Sequence, residues 1–367
     1  MSFFCFNMTL VDNLAQADNM TLAASIKPKI LVTGGAGYIG SHTCIALHEA
    51  GYEVVIYDNL SNSSREAVNR VSAIIDAPIE FVKGDIRDKD LLKTLFAQHD
   101  FFGVMHFAGL KAVGESVIQP LMYYDNNVSG TIILLDVMHS YHVKNFIFSS
   151  SATVYGDPEI LPITEDSPRS CTNPYGQSKL TIEYILEDLA RADAACNLMS
   201  LRYFNPIGAH LSGQIGEDPN DTPNNLMPYI SQVAVGKLET LSIFGNDYPT
   251  VDGTGVRDFI HVVDLAAGHV AALDYLKNQT APIGFVPINL GTGRGTSVLE
   301  LVKAFITVTG QDIPYQVAPR RAGDIASCYA SADKAQALLK WHAKLSIADM
   351  CVDTWRWQKL NPKGYTP

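Results

Sequence analysis

Lys29-Ile30-Leu31-Val32-Thr33-Gly34-Gly35-Ala36-Gly37-Tyr38-Ile39-Gly40 is the stretch whose reading decides the fold. Its first five residues are mostly apolar and rich in β-branched side chains, which is how a buried strand reads. Glycines follow at 34, 37 and 40, then a helical segment, Ser41 to Ala50, ended by Gly51. Glycines so placed allow a tight turn, the approach of backbone to a pyrophosphate, and packing of the helix on the strand. The anion would sit at the helix N-terminus, where unpaired N–H groups and the helix dipole favour negative charge. The next apolar run, Glu53-Val54-Val55-Ile56-Tyr57, ends on Asp58. That is about 20 residues beyond the loop, where a carboxylate accepts from adenosine ribose hydroxyls. Asn59 follows it where an Arg would suit a 2′-phosphate, so NAD is favoured over NADP. An ordinary Gly-rich turn, or a turn-forming Asp, explains either feature alone but not their coincidence.

Outward from this stretch, strand-like runs at 29–34, 53–58, 79–84, 103–108, 145–150 and 197–204 alternate with helix-like segments. The order implies βαβ units and a Rossmann-type α/β fold, a doubly wound parallel sheet. Gly34, Asp58, Asp85, Gly109, Ser151 and Asn205 all fall at strand ends, where open α/β sheets bind ligands. After Asn205 the pattern breaks at Pro206, Gly208, Gly213, Gly216, Pro219 and Pro223. The expected organisation is a disordered extension at 1–28, an NAD-binding domain at 29–205, and a smaller mixed α/β substrate domain over most of 206–367.

Composition narrows the function classes. Lys+Arg 27 against Asp+Glu 38 gives a net charge of −11 in 367 residues, which argues against nucleic acid or an anionic membrane surface as partner. No apolar run approaches the ~20 residues of a membrane helix. Met1-Ser2-Phe3-Phe4-Cys5-Phe6 is apolar but lacks a basic start, so it fits a secretory signal poorly, and Met20 is an alternative start. Cysteines at 5, 44, 171, 196, 328 and 351 have no C-x-x-C pairing and read as free thiols of a cytoplasmic protein. Ten scattered histidines give metal catalysis no support.

Asn173-Pro174-Tyr175-Gly176-Gln177-Ser178-Lys179 carries the chemistry. Side chains four apart on a helix stand one above the other, here a phenol beside a cation. Moving a Tyr from pKa ~10 to half-ionisation near pH 7 takes roughly 4 kcal/mol. One ammonium at ~6 Å with an effective dielectric of ~20 supplies roughly 3 kcal/mol. A second positive charge, such as an oxidised nicotinamide, would supply the rest. Alone the pair is a common accident of helices; beside the glycine loop it is not.

With the glycine loop, Asp58, Ser151, Tyr175 and Lys179 in place, the chain resembles the extended short-chain dehydrogenase/reductase family, and within it the enzymes that epimerise nucleotide sugars. His106-Phe107-Ala108-Gly109-Leu110-Lys111-Ala112-Val113-Gly114-Glu115-Ser116 is similar to the segment under their nicotinamide, and Ser149 to Gly156 to their catalytic-serine strand. Asn224 to Tyr229, Gly255 to Asp258, and Ala318 to Asp324 are similar to their nucleotide-sugar segments. The resemblance runs from Lys29 to the C-terminus.

Residue by residue, it implies cofactor contacts from Gly34, Gly37, Tyr38, Ile39, Asp58, Asn59, Asn62, Ser63, Asp85, Ile86, Phe107, Lys111, Asn126, Tyr175, Lys179 and Phe204. It implies UDP-sugar contacts from Ser151, Tyr175, Asn205, Asn225, Leu226, Arg257, Arg321 and Asp324. The guanidinium forks of Arg257 and Arg321 match diphosphate oxygens. The implied reaction is reversible inversion at C4 of UDP-glucose and UDP-galactose through a transient 4-keto sugar, with Ser151, Tyr175 and Lys179 catalytic and NAD resident. A homodimer is implied too. Ile132, Ile133, Leu134, Leu135, Leu180, Ile185 and Leu186 exceed what one sheet-facing stripe needs.

A nucleotide-sugar 4,6-dehydratase or another extended short-chain dehydrogenase is the first alternative, but dehydratases carry an Asp-Glu pair where this chain has Ala152 and Thr153. Ala supplies no general acid for elimination. A non-enzymatic NAD-binding regulator has no use for Tyr175 and Lys179. Cys328 stands where some relatives have a bulky Tyr closing the sugar pocket; it reads equally as a small core residue or as an opening to UDP-N-acetylhexosamines.

Overall fold

Strands form where the apolar runs are, and the glycine loop connects the first of them to its helix. In the structure, a computed structural model that describes residues 27–219, 223, 225–321 and 323–366, the chain runs β1 (Lys29–Thr33), α1 (Tyr38–Glu49), β2 (Glu53–Asp58), α2 (Arg65–Ile74), β3 (Glu80–Lys83), α3 (Lys89–Gln98) and β4 (Phe101–His106). Next come α4 (Val113–Ile118), α5 (Pro120–Tyr123), a π-helical turn (Tyr124–Ser129), α6 (Gly130–Ser140) and β5 (Asn145–Ser151). A 3₁₀ turn (Ala152–Tyr155), α7 (Pro174–Ala192) and β6 (Asn197–Tyr203) follow. The remainder is β7 (Asn205–Ile207), α8 (Leu226–Ala234), β8 (Leu241–Phe244), β9 (Val256–Arg257), β10 (Phe259–His261), α9 (Val262–Lys277) and β11 (Gly284–Leu290). It ends with β12 (Thr296–Ser297), α10 (Val298–Thr309), β13 (Tyr315–Ala318), β14 (Ser327–Cys328), α11 (Asp333–Leu339) and α12 (Ile347–Leu360).

Seven strands make one sheet in the order β11-β6-β5-β4-β1-β2-β3, every pair parallel. The order reverses between β1 and β4, the crevice in which such sheets hold ligands. Alternate side chains feed two cores. Ile30, Val32, Ile56, Met105 and Ile147 pack with Leu265 and Leu273 of α9 on one face. Leu31, Val55, Val104, Phe146 and Phe148 pack with Leu134 of α6 and Ile182 and Leu186 of α7 on the other.

β11 is the strand that the sequence reading does not mark. Pro287 lies inside it, and a residue without an N–H demotes a run that reads as a strand. β11 closes one edge of the sheet, where such a residue is tolerated. The chain beyond Asn205 thus lends the sheet a seventh strand and, in α9, part of its cover, so the sheet crosses the expected boundary at 205/206. The rest of that region has its own core, with Ile207, Met227, Ile230, Leu241, Phe259, Leu301 and Phe305.

Two further expectations meet the structure here. Residues 1–26 of the expected extension lie outside the described residues, whereas the carbonyl of Pro28 already accepts the Glu53 N–H at 3.0 Å. Of the residues expected on a second apolar face, Leu134, Leu135 and Leu186 are buried in the core on that face of the sheet, and Leu180 is buried in the cluster around the serine turn. The exposed apolar side chains nearby are Ile132 at 47%, Val117 at 62%, Ile118 at 80%, Leu121 at 81% and Tyr184 at 42%.

Candidate active site

The glycine loop owes its shape to close approach. Gly34 has φ 72, and a Cβ on it would lie 2.6 Å from the backbone nitrogen of Ala108, beyond β4. A Cβ on Gly40 would strike the Gly34 carbonyl, so these two glycines hold helix and strand together. Gly37 differs: a Cβ there would meet only the Gly34 carbonyl, at 3.2 Å. Gly37 is the N-cap of α1, and no side chain caps it. Open space before an uncapped helix N-terminus suits a pyrophosphate.

Asp58 ends β2 and is buried. Its Oδ2 accepts the Ala36 N–H at 3.1 Å, which ties the strand end to the loop. Its Oδ1 accepts from Leu60 N–H at 2.8 Å and Ser63 Oγ at 2.9 Å. Asn59 donates to Asp85 Oδ2 at 3.0 Å, and the Arg87 guanidinium beside Asp85 holds that carboxyl well below the usual range. Asp58, Asn59, Ser63 and Asp85 are therefore one connected rim. Ile86 is buried against Gly130, and Phe107 packs on His269 with ring centroids 4.8 Å apart. Tyr38 sends its hydroxyl to the Gly208 carbonyl at 2.7 Å, and Ile39 packs on the core beneath it. Loop, uncapped helix and acid at the next strand end together fit a dinucleotide.

Ser151 ends β5, and its Oγ accepts the Thr153 N–H at 3.2 Å. The Pro174–Ala192 helix starts where it does because Asn173 caps it, Oδ1 accepting the Gly176 N–H at 2.9 Å with Pro174 in the first turn. A Cβ on Gly176 would lie 3.0 Å from the Thr153 carbonyl, so the helix start rests on the serine turn. Tyr175 then stands beside Ser151, whose hydroxyl acts on its phenol. Lys179, 4% exposed, donates to the Ser149 carbonyl at 2.8 Å. Its Nζ stands 5.9 Å from the centre of the Tyr175 ring.

The electrostatics correct one expectation. Burial pushes the Tyr175 phenol above its usual 10.0, and the neighbouring Ser151 hydroxyl draws it only part of the way back. Burial also lowers Lys179 to about 8. Taking the phenolate out of water outweighs an ammonium at that distance, so the Tyr–Lys pair alone does not make a base near neutral pH.

The substrate-side residues are more dispersed. Asn205 opens β7, its N–H bonded to the Asp258 carbonyl at 3.0 Å. Asn225 precedes Leu226 at the start of α8 and donates to Glu217 Oε1 at 2.7 Å, which also takes Lys111 Nζ at 3.2 Å. Arg257 on β9 is paired across the ladder with Cys328 on β14. Arg321 is 57% exposed and bonded to Asp324 at 2.9 Å, and its guanidinium lies over Phe244 at 4.8 Å. The structure joins Lys111 and Asn225 through Glu217, but Arg321 is turned to its sequence neighbour. Cys328 and Phe204 share one buried cluster with Ala152, Tyr155 and Leu180.

Several residues escape the sequence reading. Asn127, next to the expected Asn126, accepts its amide at 3.0 Å and the Leu110 N–H at 2.8 Å, and donates to Ser178 Oγ at 3.0 Å. Its carbonyl takes Thr131 Oγ1, which meets His106 Nε2 at 2.9 Å, and His106 Nδ1 meets Thr33 at 2.6 Å. This chain of bonds runs from the end of β1 to the catalytic helix. Asn127 lies in the polar stretch Tyr124–Ser129, so nothing in the sequence sets it apart from Asn126.

A family model described as the NAD dependent epimerase/dehydratase family matches residues 30–291. UDP-glucose 4-epimerase of Bacillus subtilis (strain 168) is 60% identical over 92% of this chain and 98% of its own. Two solved UDP-glucose 4-epimerases are similar throughout. The one from Stenotrophomonas maltophila, with bound NAD and formylated UDP-arabinopyranose, has TM-score 0.89 and 49% identity over 92% of this chain and 99% of its own. The one from Bifidobacterium longum, in complex with NAD+ and UDP, has TM-score 0.88 and 53% identity over the same shares. With a parallel sheet, a glycine loop and a Ser–Tyr–Lys site already in place, these matches mean that the chain belongs to the NAD dependent epimerase/dehydratase family.

Proposed function

We propose that this protein catalyses the reversible 4-epimerisation of UDP-glucose and UDP-galactose with NAD as resident cofactor. The observation that carries the reading is Tyr175 at the start of its helix beside Ser151 at the end of β5, with Lys179 one helical turn on and 5.9 Å from the phenol ring, at the same sheet edge as the glycine loop. The names and bound ligands of the similar enzymes support it. Gly34, Gly37, Tyr38, Ile39 and the rim of Asp58, Asn59, Asn62, Ser63, Asp85 and Ile86 would hold the dinucleotide, with Phe107, Lys111, Asn126 and Phe204 at the nicotinamide end. Bound there, NAD would supply reversible hydride transfer at C4 of the sugar.

Tyr175 accepts the proton of the sugar 4-hydroxyl as its phenolate and later returns it. Ser151 donates to the same oxygen. Lys179 keeps a positive charge beside the phenol and reaches toward the nicotinamide ribose. Arg257, Arg321 and Asp324, with Asn205, Asn225 and Leu226, hold the UDP while the 4-keto sugar turns over. Dehydration is disfavoured, since Ala152 offers no proton and the Thr153 hydroxyl is no acid.

The working form in this reading is a homodimer joined through Val117, Ile118, Leu121, Ile132 and Tyr184, and it is cytoplasmic. No helix among the described residues is long and apolar enough to cross a membrane, and Cys44, Cys171, Cys196, Cys328 and Cys351 are free thiols. Mass spectrometry of the nucleotide released by denaturation, with a UDP-galactose turnover assay, tests the proposal. NAD and UDP-glucose are the expected products, and their absence would overturn it.

A further inference from the structure

Three successive residues of β5 meet three residues of α7 spaced four apart. Tyr175 stands beside Ser151, Lys179 donates to the Ser149 carbonyl at 2.8 Å, and Glu183 accepts from Ser150 Oγ at 2.7 Å. Positions 175, 179 and 183 share one helix face. The first two rungs belong to the site described above; the third is not used by it.

Glu183 is fully buried. Besides Ser150, its carboxylate accepts from Ser200 Oγ at 2.8 Å and from Arg202 Nε at 2.9 Å and Nη2 at 2.6 Å. Arg202 is 1% exposed and donates onward to Tyr155 Oη at 2.8 Å. Tyr155 closes the 3₁₀ turn that begins next to Ser151, and its own hydroxyl meets Asn289 Oδ1 of β11 at 2.7 Å. One carboxylate thus links the helix that carries Tyr175 and Lys179 to the strand and the turn that carry Ser151. Stability alone is a poor reason for such a pair, because buried ions are often no better than an apolar pair of the same volume. Geometry is a better one, since displacing a reacting group by about 1 Å can cost ~10²-fold in rate.

We infer that Glu183 is a positioning residue for the reaction: held by Ser150, Ser200 and Arg202, it sets the register of the Pro174–Ala192 helix against β5 and thereby the Ser151–Tyr175–Lys179 geometry. The inference rests on the epimerase reading of that site.

The test uses full-length holoenzyme in wild-type, Ser150→Ala, Ser150→Thr and Glu183→Gln forms, with kcat, KM and the pH profile of kcat measured well below each melting temperature. Ser150→Ala keeps the Glu183–Arg202 pair and so keeps the fold even where Glu183→Gln does not. The expected result for Ser150→Ala is a kcat about tenfold lower, as a displacement smaller than that 1 Å case predicts, with KM within about twofold. The acidic limb of its kcat profile moves to higher pH, and Ser150→Thr recovers most of the rate. Wild-type kcat and an unmoved acidic limb in folded Ser150→Ala would overturn the inference, as would a loss of rate that follows melting temperature alone. A wild type with no UDP-sugar turnover would instead refute the reading of the site, and the inference with it.

Discussion

Lys179 and Tyr175 are set so that the ammonium stands 5.9 Å from the centre of the phenol ring, with its proton given to the Ser149 carbonyl at 2.8 Å. Among the described residues no carboxylate pairs with this ammonium, so its charge stays beside the phenol. Tyr175→Phe keeps the ring and the packing and removes the group to which the proposed function assigns the 4-hydroxyl proton. Turnover should fall by about 10²–10⁴-fold, the range of general-base catalysis, with the melting temperature nearly unchanged. Interconversion of UDP-glucose and UDP-galactose at a near wild-type rate would exclude the role.

Much of this was legible in the sequence because it is local. The strand–loop–helix at Lys29 to Ala50, the acid at the next strand end and the Tyr–Lys spacing each depend on neighbours in the chain. What was not legible depends on distant partners. The edge strand Gly284–Leu290 is read through its Pro until the neighbouring strand is known. The raised phenol of Tyr175 follows from burial, which spacing does not give. Asn127, Glu183 and Arg202 look like ordinary polar residues until the fold surrounds them.

Asp58 gives a second prediction. Its carboxylate is buried and already anchors Ala36 and Ser63, so it is fixed in place to meet ribose hydroxyls and to repel a 2′-phosphate. Asp58→Ala should release NAD more readily on purification and narrow the preference against NADP. Equal amounts of copurified NAD in variant and wild type would show that another group sets the preference.

Acid should destabilise the protein through three buried histidines. Burial lowers His42 and His106 to about 3 and His269 to about 4 from 6.5. Their folded pKa values lie below the unfolded one, so below pH 6.5 the unfolded chain binds protons that the folded chain does not. Stability is therefore full above 6.5 and falls with pH beneath it, by up to about 1.4 kcal/mol per pH unit for each group. Denaturant titrations between pH 7.5 and 5 should show this slope, and His269→Phe should reduce it by about a third. A flat profile over that range would contradict the buried, neutral state of these rings.

The exposed patch yields a test of assembly. Ile118 and Leu121 are 80% and 81% exposed, and burying each such side chain is worth about 1.5–3 kcal/mol. A two-fold contact counts every residue twice, so this pair would contribute to the contact from both copies. Sedimentation equilibrium at micromolar concentration should give a dimer mass for wild type and a monomer for Leu121→Glu. A monomeric wild type would refute the assembly.

Cys328 gives the last prediction, on the width of the sugar site. It faces Arg257 across the β14–β9 ladder and packs with Ala152, Tyr155, Leu180 and Phe204, so its side chain lies between the serine turn and a diphosphate-binding candidate. In the proposed function, a sugar joined to that diphosphate reaches Ser151 past this point. An N-acetyl group at C2 adds several heavy atoms, and a thiol leaves room that a Tyr ring would fill. Overfilling a packed site costs about 1–3 kcal/mol, and each 1.4 kcal/mol is about tenfold in preference. The wild type should therefore interconvert UDP-N-acetylglucosamine and UDP-N-acetylgalactosamine as well as the plain hexoses. Cys328→Tyr should suppress the N-acetyl reaction by about tenfold or more and spare UDP-galactose. Assays of both sugar pairs on both proteins decide the matter, and a wild type inactive on the N-acetyl pair would rule the wider pocket out.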